Sequence, residues 1–235
     1  MPNQRSSSEG IPLGVGYYTV SEAARLLRIP ARTVNRWLGG YHYGSGADRV
    51  EMPPLWDPQL PPAEKHLELG FRDLIELRFV VAFLEAGVAL QTVRKCIGYA
   101  RDCVGDDRPF STSKFRTDGR TIFLEAATDA KDEKLLDLKR GQYVIKRAIE
   151  RTFKDLEIED EAVRRWRPFK SKASIIIDPA RAFGQPIASR YGVPTVALSE
   201  AVHAEGTVDR VSSLFDVPVS VVRDAVAYEQ FLEAA

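Results

Sequence analysis

Apolar residues fall at helical spacing in two short runs separated by a proline, between Thr19 and Leu38. In the first run Ser21 is placed as N-cap, with Ala23, Ala24, Leu26 and Leu27 forming an apolar stripe behind it. Arg28-Ile29-Pro30 then ends the helix, because proline has no amide hydrogen and disfavours helical geometry in the residue before it. A second helix restarts at Ala31 and turns Val34, Trp37 and Leu38 to one face. Arg32, Thr33, Asn35 and Arg36 are left on the other. A short helix that buries one face and presents cations and hydrogen-bonding groups on the other suits the major groove of DNA. The same pattern also fits a plain helical hairpin whose charged face is solvated.

Beyond Leu38, glycines alternate with tyrosines up to a Gly-Ser-Gly turn, which predicts strand, turn and strand: a wing on the second helix. Tyr41, His42, Tyr43 and Arg49 could reach the DNA backbone from it, or the tyrosines could pack against the helix pair. Five prolines between residues 53 and 62 make that piece an extended spacer. Leu74, Leu77, Val81 and Leu84 mark a helix ended by Gly87, and Val93, Ile97 and Ala100 mark the next. Residues 114–125 are expected to form a hairpin turning at Asp118-Gly119. A mixed-charge helix is predicted from Ala126 to about Phe153, followed by a solvated loop at EIEDEA whose carboxylates could alternatively hold a metal. A strand at 174–179 opens the last section, which Gly184, Pro186, Gly192 and Pro194 then punctuate.

The opening pattern returns near the C-terminus. A shift of 188 positions sets Thr19-Val20-Ser21 on Thr207-Val208-Asp209, Leu26 on Leu214, Ile29-Pro30 on Val217-Pro218 and Val34 on Val222. A second helix-turn-helix at 207–234 follows. Its second helix differs in chemistry, carrying Ser220, Val221, Arg223 and Asp224, with Glu229 and Glu233 further on. One arginine against three carboxylates repels phosphates. The helix is apolar on more than one face, so burial against its own domain and a second chain is expected, with Val219, Val222, Val226 and Phe231 as dimerisation residues.

Composition narrows the picture. Basic and acidic residues balance at 33 each, so there is no whole-molecule attraction to nucleic acid. Their distribution is uneven: 16 basic and 15 acidic over 1–126, 13 and 10 over 127–174, and 4 and 8 over 175–235. Any DNA site is therefore a local patch in the first part of the chain. Cys96 and Cys103 lie on one side of a helix but too far apart for a disulfide, which suits two reduced thiols or, alternatively, a sensor pair. No apolar run could serve as a signal peptide or membrane span, and a cytoplasmic protein is expected. His42, His66 and His203 have no metal-ligand spacing. No nucleophile elbow, phosphate loop or dinucleotide fingerprint is present, so no enzyme, catalytic residue, metal or cofactor is expected.

Residues 17–105 resemble the DNA-binding region of MerR-like regulators, in YTVSEAARLL, the helix-turn-helix, the glycine-containing wing, FRDLIELRF and LEAGV. The wing is longer and richer in proline than is usual there. Residues 175–235, with IIIDP, FGQPI, GVPT and the closing helix-turn-helix, look like a small domain found in bacterial antitoxins. The two together are similar to a VapB-type antitoxin whose toxin is a PIN-domain ribonuclease. The resemblance leaves out residues 1–16 and the charged helix near 126–160.

That resemblance implies a homodimeric operon repressor that binds operator DNA and neutralises a cognate toxin. Arg28, Arg32, Thr33, Asn35 and Arg36 carry over as DNA-contacting residues, with Tyr43 and Arg49 from the wing. For the toxin, the charged connector is a candidate on physical grounds, including Lys146, Arg147 and Arg151 and above all Arg164, Arg165 and Arg167. An arginine inserted into an acidic, metal-dependent site could replace the metal's charge, although the same residues also fit a solvated face. A stand-alone MerR-like regulator with a small-molecule or thiol-sensing site is the other reading. The expected fold is mainly α with small β elements (α+β). It comprises a mobile tail at 1–16, a winged helix-turn-helix domain at 17–126, a charged helical connector at 127–173 and a small helix-turn-helix domain at 174–235.

Overall fold

Thr19, not Ser21, caps the first helix. In this computed structural model, which describes residues 14–44, 50–61, 66–129, 138–170 and 172–234, helix α1 spans Val20–Leu27. The Thr19 hydroxyl accepts from the amide of Glu22 at 3.2 Å, and the Glu22 carboxylate accepts from the amide of Thr19 at 2.8 Å. This reciprocal pair satisfies two amides that a cap at Ser21 would leave unmet. Arg28 then takes the left-handed conformation (φ 57°), and α2 spans Ala31–Leu38 directly after Pro30. A short pair, β1 (Tyr18–Thr19) with β4 (Glu68–Leu69), staples the entry of this motif to the chain ahead of the third helix.

The wing forms as strands β2 (Tyr41–Tyr43) and β3 (Val50–Met52), antiparallel with Tyr41 opposite Met52. Arg49 lies outside the described residues. The proline-rich piece is extended as expected, yet it is anchored rather than free. Leu55, Trp56 and Leu60 are buried, and the Trp56 indole donates to Asp73 at 3.0 Å.

Helix α3 (Phe71–Glu85) is the core of the first 170 residues, buried on several sides by α1, by α4 (Leu90–Val104), by α5 (Ser113–Asp129) and by α6 (Leu138–Phe153). A run of phenylalanines joins them, with ring centroids 4.9 Å apart for Phe79–Phe153, 4.7 Å for Phe83–Phe123 and 4.6 Å for Phe110–Phe115. The hairpin expected at 114–125 is instead the body of α5. Phe115, Ile122, Phe123 and Ala126 recur at helical period and all are buried, so tertiary packing overrides the local Asp-Gly turn signal. Gly119 sits inside this helix, with the Phe115 ring 3.0 Å from where a Cβ would lie.

EIEDEA is likewise not a loop. Leu156–Glu159 (β5) and Ala162–Trp166 (β6) form a hairpin turning at Asp160 and Glu161, both at positive φ, the geometry of a type I′ turn. Glu157, Glu159 and Asp160 pair with arginines, and the described residues hold no group of three or more potential metal ligands. The hairpin continues into β7 (Ile175–Ile177) and β8 (Pro186–Ala188) as one four-stranded sheet, so the boundary drawn at residue 173 runs through a sheet.

The chain closes with α7 (Thr195–Glu205), α8 (Val208–Phe215) and α9 (Val219–Glu233) around Ala188, Leu198, Val211, Val217, Val222 and Ala225. The repeat is geometrically faithful. Thr207 caps α8 as Thr19 caps α1, and Asp216 takes the left-handed position of Arg28. The protein is thus mainly α with small antiparallel β elements, and no helix among the described residues is long and apolar enough to cross a membrane.

One buried acid ties α3 to the turn at Pro109–Ser111. The Glu76 carboxylate accepts from the amides of Ser111 (2.8 Å) and Phe110 (3.2 Å), yet burial pushes its pKa up to about 7 from 4.5. Between those two pH values the folded protein holds a proton that the unfolded chain has released. This contribution to stability is therefore complete below pH 4.5 and lost as pH rises through 7. In urea unfolding, Glu76→Gln is expected to remove that decline, so the stability difference between the two proteins changes across this window. A difference independent of pH would show that the two amides outweigh burial.

Candidate nucleic-acid interface

The outer face of α2 stands free. Val34, Trp37 and Leu38 are buried against α1 and the spacer, where the amide of Leu55 donates to the carbonyl of Trp37 at 2.7 Å. Arg32, Asn35 and Arg36 are exposed and Thr33 is half-buried, so four candidates from the sequence share one surface. The Arg36 guanidinium lies 3.9 Å from the centroid of the Tyr41 ring, which links the helix to the wing. Tyr41 therefore packs, while Tyr43 is 52% exposed beside it at a ring separation of 6.2 Å. Arg94 of α4 braces the base of the wing by donating to the carbonyl of Pro54 at 2.8 Å.

Arg28 is placed differently. Although exposed, it lies 4.1 Å over the ring of Phe231 in α9 and so belongs to a junction between the two helix-turn-helix units. At that junction Arg25 pairs with Glu229, a carboxylate only 3% exposed that also accepts from the hydroxyl of Thr195. The Tyr18 hydroxyl donates to the carbonyl of Gly184 at 2.7 Å, and the Tyr17 amide to the carbonyl of Phe183 at 2.9 Å. Tyr228 and Leu232 join the same apolar core as α1.

The apolar girth of α9 is therefore covered by its own chain: α7 on one side, α1 and Phe169 on the other. Val222 is completely buried in the closing three-helix core and has no surface for a second chain, which corrects its expected role in dimerisation. Val219 and Val226 are half-buried, and Phe231 remains 37% exposed beneath Arg28. Asp224, which occupies the position of Arg36 in the repeat, accepts from Lys172 and from the Ser174 hydroxyl, and those contacts hold its pKa below the usual value against burial.

The three connector arginines are engaged within the chain. Arg165 binds Asp178 at 3.0 Å as well as Glu157 and Glu159, and these carboxylates raise its pKa further. Arg167 pairs with Glu157, and Arg164 with Asp160 at 3.3 Å. Cys96 is buried, which pushes its thiol well above the usual pKa, so it is a poor sensing thiolate. The pairing of Arg25 with Glu229 escaped the sequence reading, which took Glu229 only as a carboxylate that repels phosphate. The signal for it was a carboxylate on an otherwise apolar helix, since a buried charge needs a partner.

Residues 16–97 match a family model described as "Putative DNA-binding HTH domain". Over 223 residues the chain is 26% identical to "Putative antitoxin VapB45" of Mycobacterium tuberculosis, covering 90% of this chain and 93% of that protein. The crystal structure of Rv2018 from the same organism superposes with a TM-score of 0.71 over 92% of this chain and 100% of that one. At 23% identity that likeness establishes the fold. The free face of α2 lies inside the residues matched by the helix-turn-helix model.

Proposed function

We propose that this protein is an antitoxin that binds operator DNA as a dimer, represses its own operon and neutralises a PIN-domain ribonuclease. The observation that carries the reading is the contrast between two equivalent helices. The face of α2 that presents Arg32, Thr33, Asn35 and Arg36 is open, while most of α9 is consumed in holding the chain together. Tyr43 extends the DNA-facing surface along the wing, and Arg49, the other wing residue proposed for DNA contact, lies outside the described residues. Arg28 serves it less directly, through its stacking on Phe231. The exposed part of Phe231 and the edges of Val219 and Val226 are what α9 retains for a second chain.

Toxin binding through Arg164, Arg165 and Arg167 requires exchanging their own carboxylates for those of the toxin. Arg164 does so at least cost, because its single partner Asp160 is itself exposed. The test is coexpression with the reading frames that adjoin this gene, followed by identification of any copurifying protein and by titration of the upstream DNA at several salt concentrations. A copurifying toxin and an affinity that falls steeply with salt are expected. Absence of DNA binding even at low salt would overturn the reading.

A further inference from the structure

A cleft of about 390 Å³ opens between α1, α3 and α6, with Trp166 of β6 also in its lining. Leu26, Leu27, Val81, Ala82 and Ala86 give it an apolar floor. Arg147 and Arg151 line its α6 side, one helical turn apart on the same face. Like charges at that spacing repel and cost helix stability unless an anion lies between them. Both are exposed, and neither has a hydrogen-bond or ion-pair partner among the described residues, in contrast to Lys146, which pairs with Glu150. The third arginine of the cleft, Arg78, is already satisfied by Asp155 and the carbonyl of Thr152. Among the described residues of the lining Glu85 is the one carboxylate, set against Arg147 and Arg151.

We infer that this cleft is a binding site for a small apolar carboxylate, whose chain lies on the floor while its carboxylate bridges Arg147 and Arg151. The volume falls within the usual range for small-ligand sites, which combine apolar walls with a few placed polar groups. An arginine pair matches a carboxylate in both geometry and charge. This site is separate from the exposed face of α2 and does not depend on the protein being an antitoxin. Because Leu26 and Leu27 belong to α1, the ligand rests directly on the first helix of the DNA-binding motif.

The test titrates the purified full chain with decanoate, decanol and decylamine, following calorimetry and tryptophan fluorescence. Decanoate is expected to saturate below its micellar concentration and to bind about tenfold more tightly than decanol, the worth of one charge-assisted contact. Decylamine is expected to be weakest. The Arg147→Gln/Arg151→Gln variant, altered only at exposed positions, should lose the preference for decanoate while keeping its melting temperature. Glu85→Gln should strengthen decanoate binding. No saturable decanoate binding, equal affinity for decanoate and decanol, or a preference that survives the double substitution would each overturn the site.

Discussion

Reversing Arg32 and Arg36 to glutamate is expected to weaken operator binding at least about a hundredfold, since each groove-facing arginine contributes about 1–3 kcal/mol and the new carboxylates add repulsion. The slope of log affinity against log salt should also become shallower, because two cations facing the phosphates' field are lost. Both side chains are exposed, so the fold should survive. The main structural loss is the stacking of Arg36 on Tyr41, worth about 0.5–1 kcal/mol at an exposed site. Arg223 provides the control. It is exposed on α9 where Asn35 stands on α2, and its reversal should leave DNA affinity unchanged. Titration of labelled operator DNA by fluorescence anisotropy decides the matter. Unchanged affinity in the α2 variant would place the DNA face elsewhere.

Asp73→Ala should be the most damaging single truncation for stability. The carboxylate is fully buried and accepts from four donors: the Trp56 indole at 3.0 Å, the Gln59 amide at 2.7 Å, the Gly70 amide at 2.9 Å and Arg108 Nε at 2.9 Å. Removing it leaves a largely buried guanidinium with only the Asp57 carbonyl as acceptor and three further N–H groups unmet, a loss of about 3–5 kcal/mol. For a chain of this length that corresponds to a fall in melting temperature of about 10 °C. Trp56 and Gln59 belong to the segment joining the wing to α3, so DNA affinity should fall together with stability. Asp73→Asn keeps one acceptor and should fall between wild type and alanine. A change under about 1 kcal/mol on urea unfolding would mean that water replaces the carboxylate at this site.

The winged helix-turn-helix, α3, α4 and the second motif were legible because each is specified by neighbours in sequence. The proline at position 30, the stripe from Ala23 to Leu27, and the glycine–tyrosine wing are local statements that tertiary context left intact. Residues 114–125 and 157–162 misled for the opposite reason. Asp118-Gly119 is a sound turn signal that the phenylalanine cluster outweighs, because Phe115 and Phe123 gain more by burial on one helix face than a hairpin would give them. The acidic run reads as solvated until Arg165 and Arg167 are set opposite it on the next strand.

Of the candidate site, Arg32, Thr33, Asn35 and Arg36 were legible from helical periodicity alone, which separates the buried face of α2 from the bare one. Sequence could not show that Arg28 stacks on a residue some two hundred positions away, that Glu229 receives Arg25, or that Val222 is sealed inside its own core. Nor could it show that Arg147 and Arg151 line an apolar cleft with no partner among the described residues, while Arg164, Arg165 and Arg167 are occupied. The division follows from range. Periodicity, capping and turn geometry act over a few residues and are written in order along the chain. The partner of a charge or of an apolar surface is fixed only when distant segments meet, and here that meeting decided which basic residues remain available to a ligand.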